Sequence, residues 1–507
     1  MTFVYFTLSL LASPWAIFAA SKESRVFLME AAPQTLNPRR AIDANGQRVI
    51  GLFFRGLTRM TEDLVPAPDG SKGWKISSDA RTWTFEIDSE LKDDQGLGAS
   101  SQDWVQCLEN YRIGKPESAL AAAFPNWKGT RALGKNQVVL ELSQPDPYLA
   151  YNLSLLKFYR LNDSKEPCTE PGEKSQFIPN GMFRQQGKWN SNPRTSVKIS
   201  SRMGREIDVE VRFVTDDQSR TLQLLSGEVD FLQNGVSLSK ALWLKKNYSQ
   251  KFGSIDRDGV NVSYLGFNLR DPVLKIPGVR KALAIAIDRD SIIRHKHGSL
   301  VQLASGFVSP LIAEFSDSAN LISYDPKKAE SLFDEAGFPR KGKNGSRLIL
   351  HYRTTSVREG YEMGLMLKDQ WKKVGIDLVI DVVEPALFLS AIKKGKFQLF
   401  SSRWVGVSDG SIYFRTLRTG QLQNRVGYSD AKMDALLDQL VREPALGQRR
   451  KILGEVEKVL LSELPYFPLF RWNNTLFYRK DRFREEDFGK ISLSGAIEPI
   501  FRKLVFR

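Results

Sequence analysis

Strand-like and helix-like stretches take turns along residues 206–383, and this alternation restricts the fold more than any other feature of the chain. "EIDVEVRFV" (206–214) reads as a strand. "DDQSRTLQLLSGEVDFL" (216–232) reads as a helix, a glycine turn and a short strand. "VSYLGFNL" (262–269), "RLILHYR" (347–353) and "IDLVIDVVE" (376–384) are further strands, and the helix patterns at 325–338 and 358–375 lie between them. Strands separated by helix-length segments build α/β layers. Within this region "GVRKALAIAIDRDSII" (278–293) carries an uncharged run from Ala282 to Ile287. That run is far too short for a membrane span, which takes about 20 apolar residues. It reads as a buried helix, with Pro277 tolerated at its start and its charged ends at the surface.

The first part of the chain has a different character. "TWTFEI" (82–87) alternates as a half-buried strand does, and "NQVVLELSQPDPYL" (136–149) is a strand ended by Pro145 and Pro147. Between them "SSQDWVQCLENYR" (100–112) reads as a helix capped by Ser100 or Ser101. Its Trp104, Cys107, Leu108 and Tyr111 share one face. Residues 161–200 are rich in Pro, Asn, Ser and Gly and read as a loop-dominated crossing. One or two helices follow over 430–464, and strand patterns return at 466–478. With 507 residues, 42% of them apolar, the chain has enough material for about three globular domains and is not disordered.

Residues 1–20 carry no charge and end in Ala19 and Ala20, which reads as a secretory leader cut near Ala20. The missing positive start and Phe18 leave an N-terminal anchor as the other reading. Cys107 and Cys168 form one disulfide in an exported protein or stay as two buried thiols, and spacing does not decide between them. The net charge of +15 is spread over short clusters such as "IKKGK" and "PRKGK", so a basic solvated surface is expected rather than a nucleic-acid site.

"YLGFNLRDPVLKIPGVRKALAIAIDRDSII" (264–293) resembles the segment shared by the peptide- and nickel-type extracellular solute-binding proteins of ABC transporters. Other similar motifs follow the same order: "TLNP" (35–38), "GLFFRGLTR" (51–59), "GWKISSDARTWTFEI" (73–87), "SSQDW" (100–104), "LLSGEVDF" (224–231), "YDPKKAESLFDEAGF" (324–338), "WKKVGID" (371–377) and "GYSDAKMDALLDQ" (427–439). The resemblance implies an α/β, two-lobed periplasmic-binding-protein fold (type II, cluster C-like) with an extra β-rich subdomain in the first lobe. Its boundaries are expected at 21–50, 181–260 and 471–507 for the first lobe, 51–180 for the subdomain and 261–470 for the second lobe. It further implies a monomer that closes on a short peptide or peptide-like ligand, hands it to an ABC permease and uses no cofactor.

Ligand contacts are implied residue by residue. "SSRWVGVSDGSIYFRTL" (401–417) matches the family's Trp-containing loop through Trp404 and Phe414. Val407 stands where the family places an acid for the peptide's amino group, and Asp409, two residues later, is the substitute or simply a turn residue. Arg353, and behind it Arg358, is the candidate for a ligand carboxylate, because a guanidinium grips one with two hydrogen bonds. Phe183 and Trp472 are candidate wall residues.

Three other functions are weighed. "GVSDG" (406–410) fits the nucleophile-elbow pattern, but His295, His297 and His351 all precede Ser408, so that order of triad cannot form. "HKH" (295–297) puts its rings on different helix faces, which favours neutral surface histidines over a metal site. A chelated metal held through its carrier's carboxylates, or a scaffold reused as a sensor or chaperone-like partner, stays open.

Overall fold

The computed structural model describes residues 25–317, 321–342, 345–356 and 358–506, so the leader expected over 1–20 lies outside the described residues. One eleven-stranded sheet runs through the molecule. Its first half is ordered Phe183–Gln185, Ser196–Ser201, Asp208–Phe213, Arg25–Met29, Phe231–Gln233. Two long strands, Tyr466–Arg479 and Phe252–Phe267, cross the middle. The other half is Leu399–Trp404, Leu348–Thr355 and Ile376–Val383, and Val301–Leu303 pairs on Tyr466–Arg479. A separate four-stranded antiparallel sheet holds Ser71–Ile76, Thr82–Ile87, Gln137–Leu142 and Trp127–Leu133.

The crossing strands make the junction between two bodies. Their antiparallel ladder runs from the Phe252/Arg479 pair to the Gly266/Tyr466 pair, with a shift of register between Arg257 and Asn261. A bulge of this kind bends a strand and raises its twist. Gly259 sits inside the shift, where a Cβ would lie 2.1 Å from the Trp472 carbonyl oxygen, so only glycine lets the strands approach. On one side a single apolar core joins Phe27, Phe53, Trp83, Trp104, Tyr159 and Phe501. On the other, one cluster surrounds Leu283, Tyr352 and Trp371, and another surrounds Tyr264, Phe307 and Tyr413.

Three expectations need correction. The segment 278–293 is not one helix: Pro277–Ile285 ends, and Arg289–Ile292 starts again behind the Asp288 cap. Its charged ends reach the surface only in part: Lys281 and Asp290 are exposed, but the two arginines are buried. Arg280 is 1% exposed and donates to the carbonyls of Leu274, Lys275 and Glu463, while Arg289, 4% exposed, donates to those of Ala304, Ile322 and Pro468. Each guanidinium spends its fork of donors on main-chain oxygens, which makes burial tolerable. The strand expected at 262–269 begins ten residues earlier, at Phe252.

The crossing at 161–200 contributes strands to the main sheet, and Cys107 is bonded to Cys168 across a separation of 61 residues, with Cα atoms 4.8 Å apart. No helix among the described residues is long and apolar enough to cross a membrane.

Candidate ligand cleft between the lobes

A cavity of about 430 Å³ lies between the two bodies. One wall begins at the helix Ala44–Phe53, which Asp43 caps by accepting from the Gly46 amide at 2.8 Å, and which places Arg48 on the cavity; Arg55 follows just beyond its end. The opposite wall is the loop after the strand Leu399–Trp404. Gly406 turns that loop with φ of +67°, and its amide donates to Asn261 Oδ1 at 2.7 Å, which ties the loop to a crossing strand.

The lining is cationic. Six basic side chains (Arg48, Arg55, Arg59, Lys157, Arg415, Arg502) face three acids, Asp69, Asp409 and Glu498. Arg55 is paired with Asp69 at 3.2 Å, and Arg502 with Glu498 at 2.7 Å. Arg48 is paired with Glu30 at 2.9 Å. Lys157, Arg59 and Arg415 have no ion pair among the described residues. Lys157 is buried, and burial pulls its pKa down against the opposing pull of Asp69 and Glu498. An ammonium so placed gains from any anion that enters.

Asp409 lines the cavity and also serves the turn: its Oδ1 accepts from the Ser411 amide at 2.9 Å and its Oδ2 from the Ser408 hydroxyl at 2.7 Å. Val407 is buried in the second lobe. Trp404 lies behind the lining, stacked on Tyr264 with centroids 4.9 Å apart, and the Arg425 guanidinium covers its ring at 4.9 Å. Arg353 bonds to the Lys396 carbonyl and sits 3.9 Å from Asp381, outside this cavity and its neighbour, while Arg358 is an exposed partner of Glu362. Phe183 is fully buried against Phe501, centroids 5.5 Å apart, and its neighbours Gly181 and Met182 take the cavity wall instead. Trp472 lines a neighbouring cavity of about 340 Å³ and donates to Ser263 Oγ at 2.5 Å.

His295 is exposed, but His297 is buried, which corrects the expectation of two surface rings. The turn Ile293–His297 is wider than an α-helix and rotates His297 inward. Lys157, Arg59 and Arg415 were not singled out from the sequence. The one signal for Lys157 is a lone charge in the apolar run "SLLKFY".

A family profile described as bacterial extracellular solute-binding proteins, family 5 (middle region), matches residues 65–424. The chain belongs to that family. Family 5 proteins bind solutes and are not enzymes. This member is 23% identical to the oligopeptide-binding protein OppA of Bacillus subtilis, over 94% of this chain and 92% of OppA. It shares the fold of NikA from Brucella suis, solved in complex with Fe(III)-EDTA, at a TM-score of 0.82 and 18% identity, covering 94% of this chain and 99% of that one. It also shares the fold of DppA from Helicobacter pylori, solved with the peptide STSA, at 0.74 and 20%, covering 94% and 96%. The family 5 fold is therefore two-lobed here, with the cavity where the lobes meet.

Proposed function

We propose that this family 5 protein is exported, captures a short peptide or peptide-like ligand bearing free carboxylates, and delivers it to an ABC permease as a monomer. One observation carries the reading: Asp409 and the uncommitted cations Lys157, Arg59 and Arg415 share a cavity of about 430 Å³. A zwitterionic peptide presents both charges, with its carboxylates against the basic side. The moving bodies are residues 21–50, 181–260 and 471–507, with 51–180 attached, against 261–470. Ligand drives closure because it contacts both bodies only when they are together. The peptide-binding relatives support this ligand class.

The same cationic lining supports a second reading, a metal chelate held through its own carboxylates, and two solved neighbours are in complex with Ni(L-His) and Fe(III)-EDTA. No cluster of His, Cys, Asp and Glu suited to a metal occurs among the described residues, so the metal would arrive inside its carrier.

Native mass spectrometry of the exported protein, with release of whatever accompanies it, separates these readings. Peptides support the first, a metal complex the second, and an empty protein unmoved by peptide mixtures favours a reused scaffold. Lys157→Met is expected to weaken a carboxylate ligand about tenfold or more, the scale of a lost charge-assisted hydrogen bond. Unchanged affinity would remove Lys157 from the site.

A further inference from the structure

Among the described residues, three cations of the main cavity (Lys157, Arg59, Arg415) and one of its carboxylates, Asp409, have no ionic partner. A peptide of neutral residues brings one ammonium and one carboxylate. It would match Asp409 and a single cation, and leave the other two cations unmatched.

Lys157 seats one acid. Leu155 and Lys157 line the cavity, while Leu156 and Phe158, alternating with them, are buried in the core. The Lys157 amide donates to Tyr111 Oη at 3.4 Å, and Tyr111 Oη donates to the Lys157 carbonyl at 3.0 Å, so it is the side chain that faces the cavity. The residue is 8% exposed, and its ammonium has neither a hydrogen bond nor an ion pair among the described residues. Asp69 and Glu498 act on it through space, each held by its own arginine, and their charge opposes a second acid at the same place.

Arg59 and Arg415 come from opposite bodies. Arg59 is on the strand Thr58–Met60, which forms a hairpin with Pro66–Pro68, and Arg415 is on the helix Ser411–Leu417. Leu64, in the turn of that hairpin, is buried in the same apolar cluster as Tyr413 of that helix. The two elements are thus packed together, and both arginines line the one cavity. Like charges facing one space repel unless an anion stands between them, and each guanidinium presents a fork that fits a carboxylate.

We propose that the cleft selects an acidic peptide, with one carboxylate seated on Lys157 and a second held between Arg59 of the first body and Arg415 of the second. The second carboxylate touches both bodies, so it favours the closed arrangement over the open one. The proposal deepens the peptide-like reading of the ligand and rests on it.

Calorimetry at one ionic strength sets Glu-Ala-Ala, Ala-Glu-Ala and Ala-Ala-Glu each against its glutamine counterpart. In at least one pair the glutamate peptide is expected to bind about tenfold tighter, the scale of one charge-assisted contact. Arg59→Gln and Arg415→Gln are each expected to bring that ratio close to unity. Lys157→Met is expected to weaken both members of the pair and keep the ratio. Equal affinities within every pair overturn the second seat and leave the peptide reading standing, and so does a ratio that survives in both arginine variants. If no tripeptide binds, thermal unfolding with glutarate against its monoamide decides. A larger rise in Tm with glutarate, lost in both arginine variants, keeps the seat while the peptide reading falls; equal rises, or a difference that the variants retain, overturn both. Should an arginine variant not fold, the wild-type ratio and the glutarate comparison decide.

Discussion

Single residues show where charge is stored in this molecule. Glu457 is fully buried in the second lobe, where Tyr413 Oη donates to its Oε1 at 2.7 Å and its Oε2 has no partner. Burial raises its pKa to about 7. The folded protein keeps this carboxyl protonated well above the pH at which the unfolded chain releases the proton. Its contribution is thus fully present below about pH 4.5, is lost as pH rises to about 7, and is flat above that. Glu457→Gln should gain on the wild type between pH 5 and pH 8, by at most on the order of 3 kcal/mol, as read from urea unfolding at both values. A constant difference would remove Glu457 as the titrating group. The residue scale is also where the sequence was least legible. Asp409 stands out in the sequence by its place in a recognisable loop, but the hydrogen bonds it accepts from Ser408 and Ser411 do not. Phe183 looks like a wall residue in one dimension and turns its ring into the core in three.

Elements were read better than residues, because periodicity survives in one dimension. The strand Thr82–Ile87 and the helix Ser101–Ile113 fall where alternation and capping place them. Ser100 caps that helix by a reciprocal pair, its hydroxyl accepting from the Asp103 amide at 3.1 Å while its own amide donates to Asp103 at 2.8 Å. Ser100→Ala should cost about 1 kcal/mol in denaturant unfolding. The same helix is tied by the Cys107–Cys168 bond. Replacing both cysteines by alanine should cost about 2–5 kcal/mol by the same measurement. A cost near zero would mean that the helix is anchored by its core face alone. What periodicity could not reveal is long-range closure. The carbonyl cages around Arg280 and Arg289 draw on residues up to 183 positions away in the chain, so nothing local marks either arginine as buried.

At the scale of the whole molecule, the order of motifs along the chain made the two-lobed fold legible, whereas the cavity needed the lobes to be set against each other. Contacts already bridge them: Tyr148 Oη donates to Glu314 Oε2 at 3.2 Å, and Glu314 also takes Arg449 Nε at 2.6 Å and the Gly410 amide at 2.7 Å. Tyr148→Phe removes the bridging hydroxyl and leaves the pair within the second lobe. Small-angle scattering of ligand-free protein should then show a larger radius of gyration than the wild type, and an unchanged radius would mean that this bridge does not hold the lobes together.

The route by which the chain returns to its own beginning has a consequence for synthesis. Phe27 packs on Phe231 and on Phe501, so the core that starts at the first strand is finished by the last helix. A ribosome releases Phe27 long before Phe501, and until the final segment arrives that core has an open side. Contacts between distant parts of a chain form slowly. Completion of that core therefore waits until Phe501 has been made.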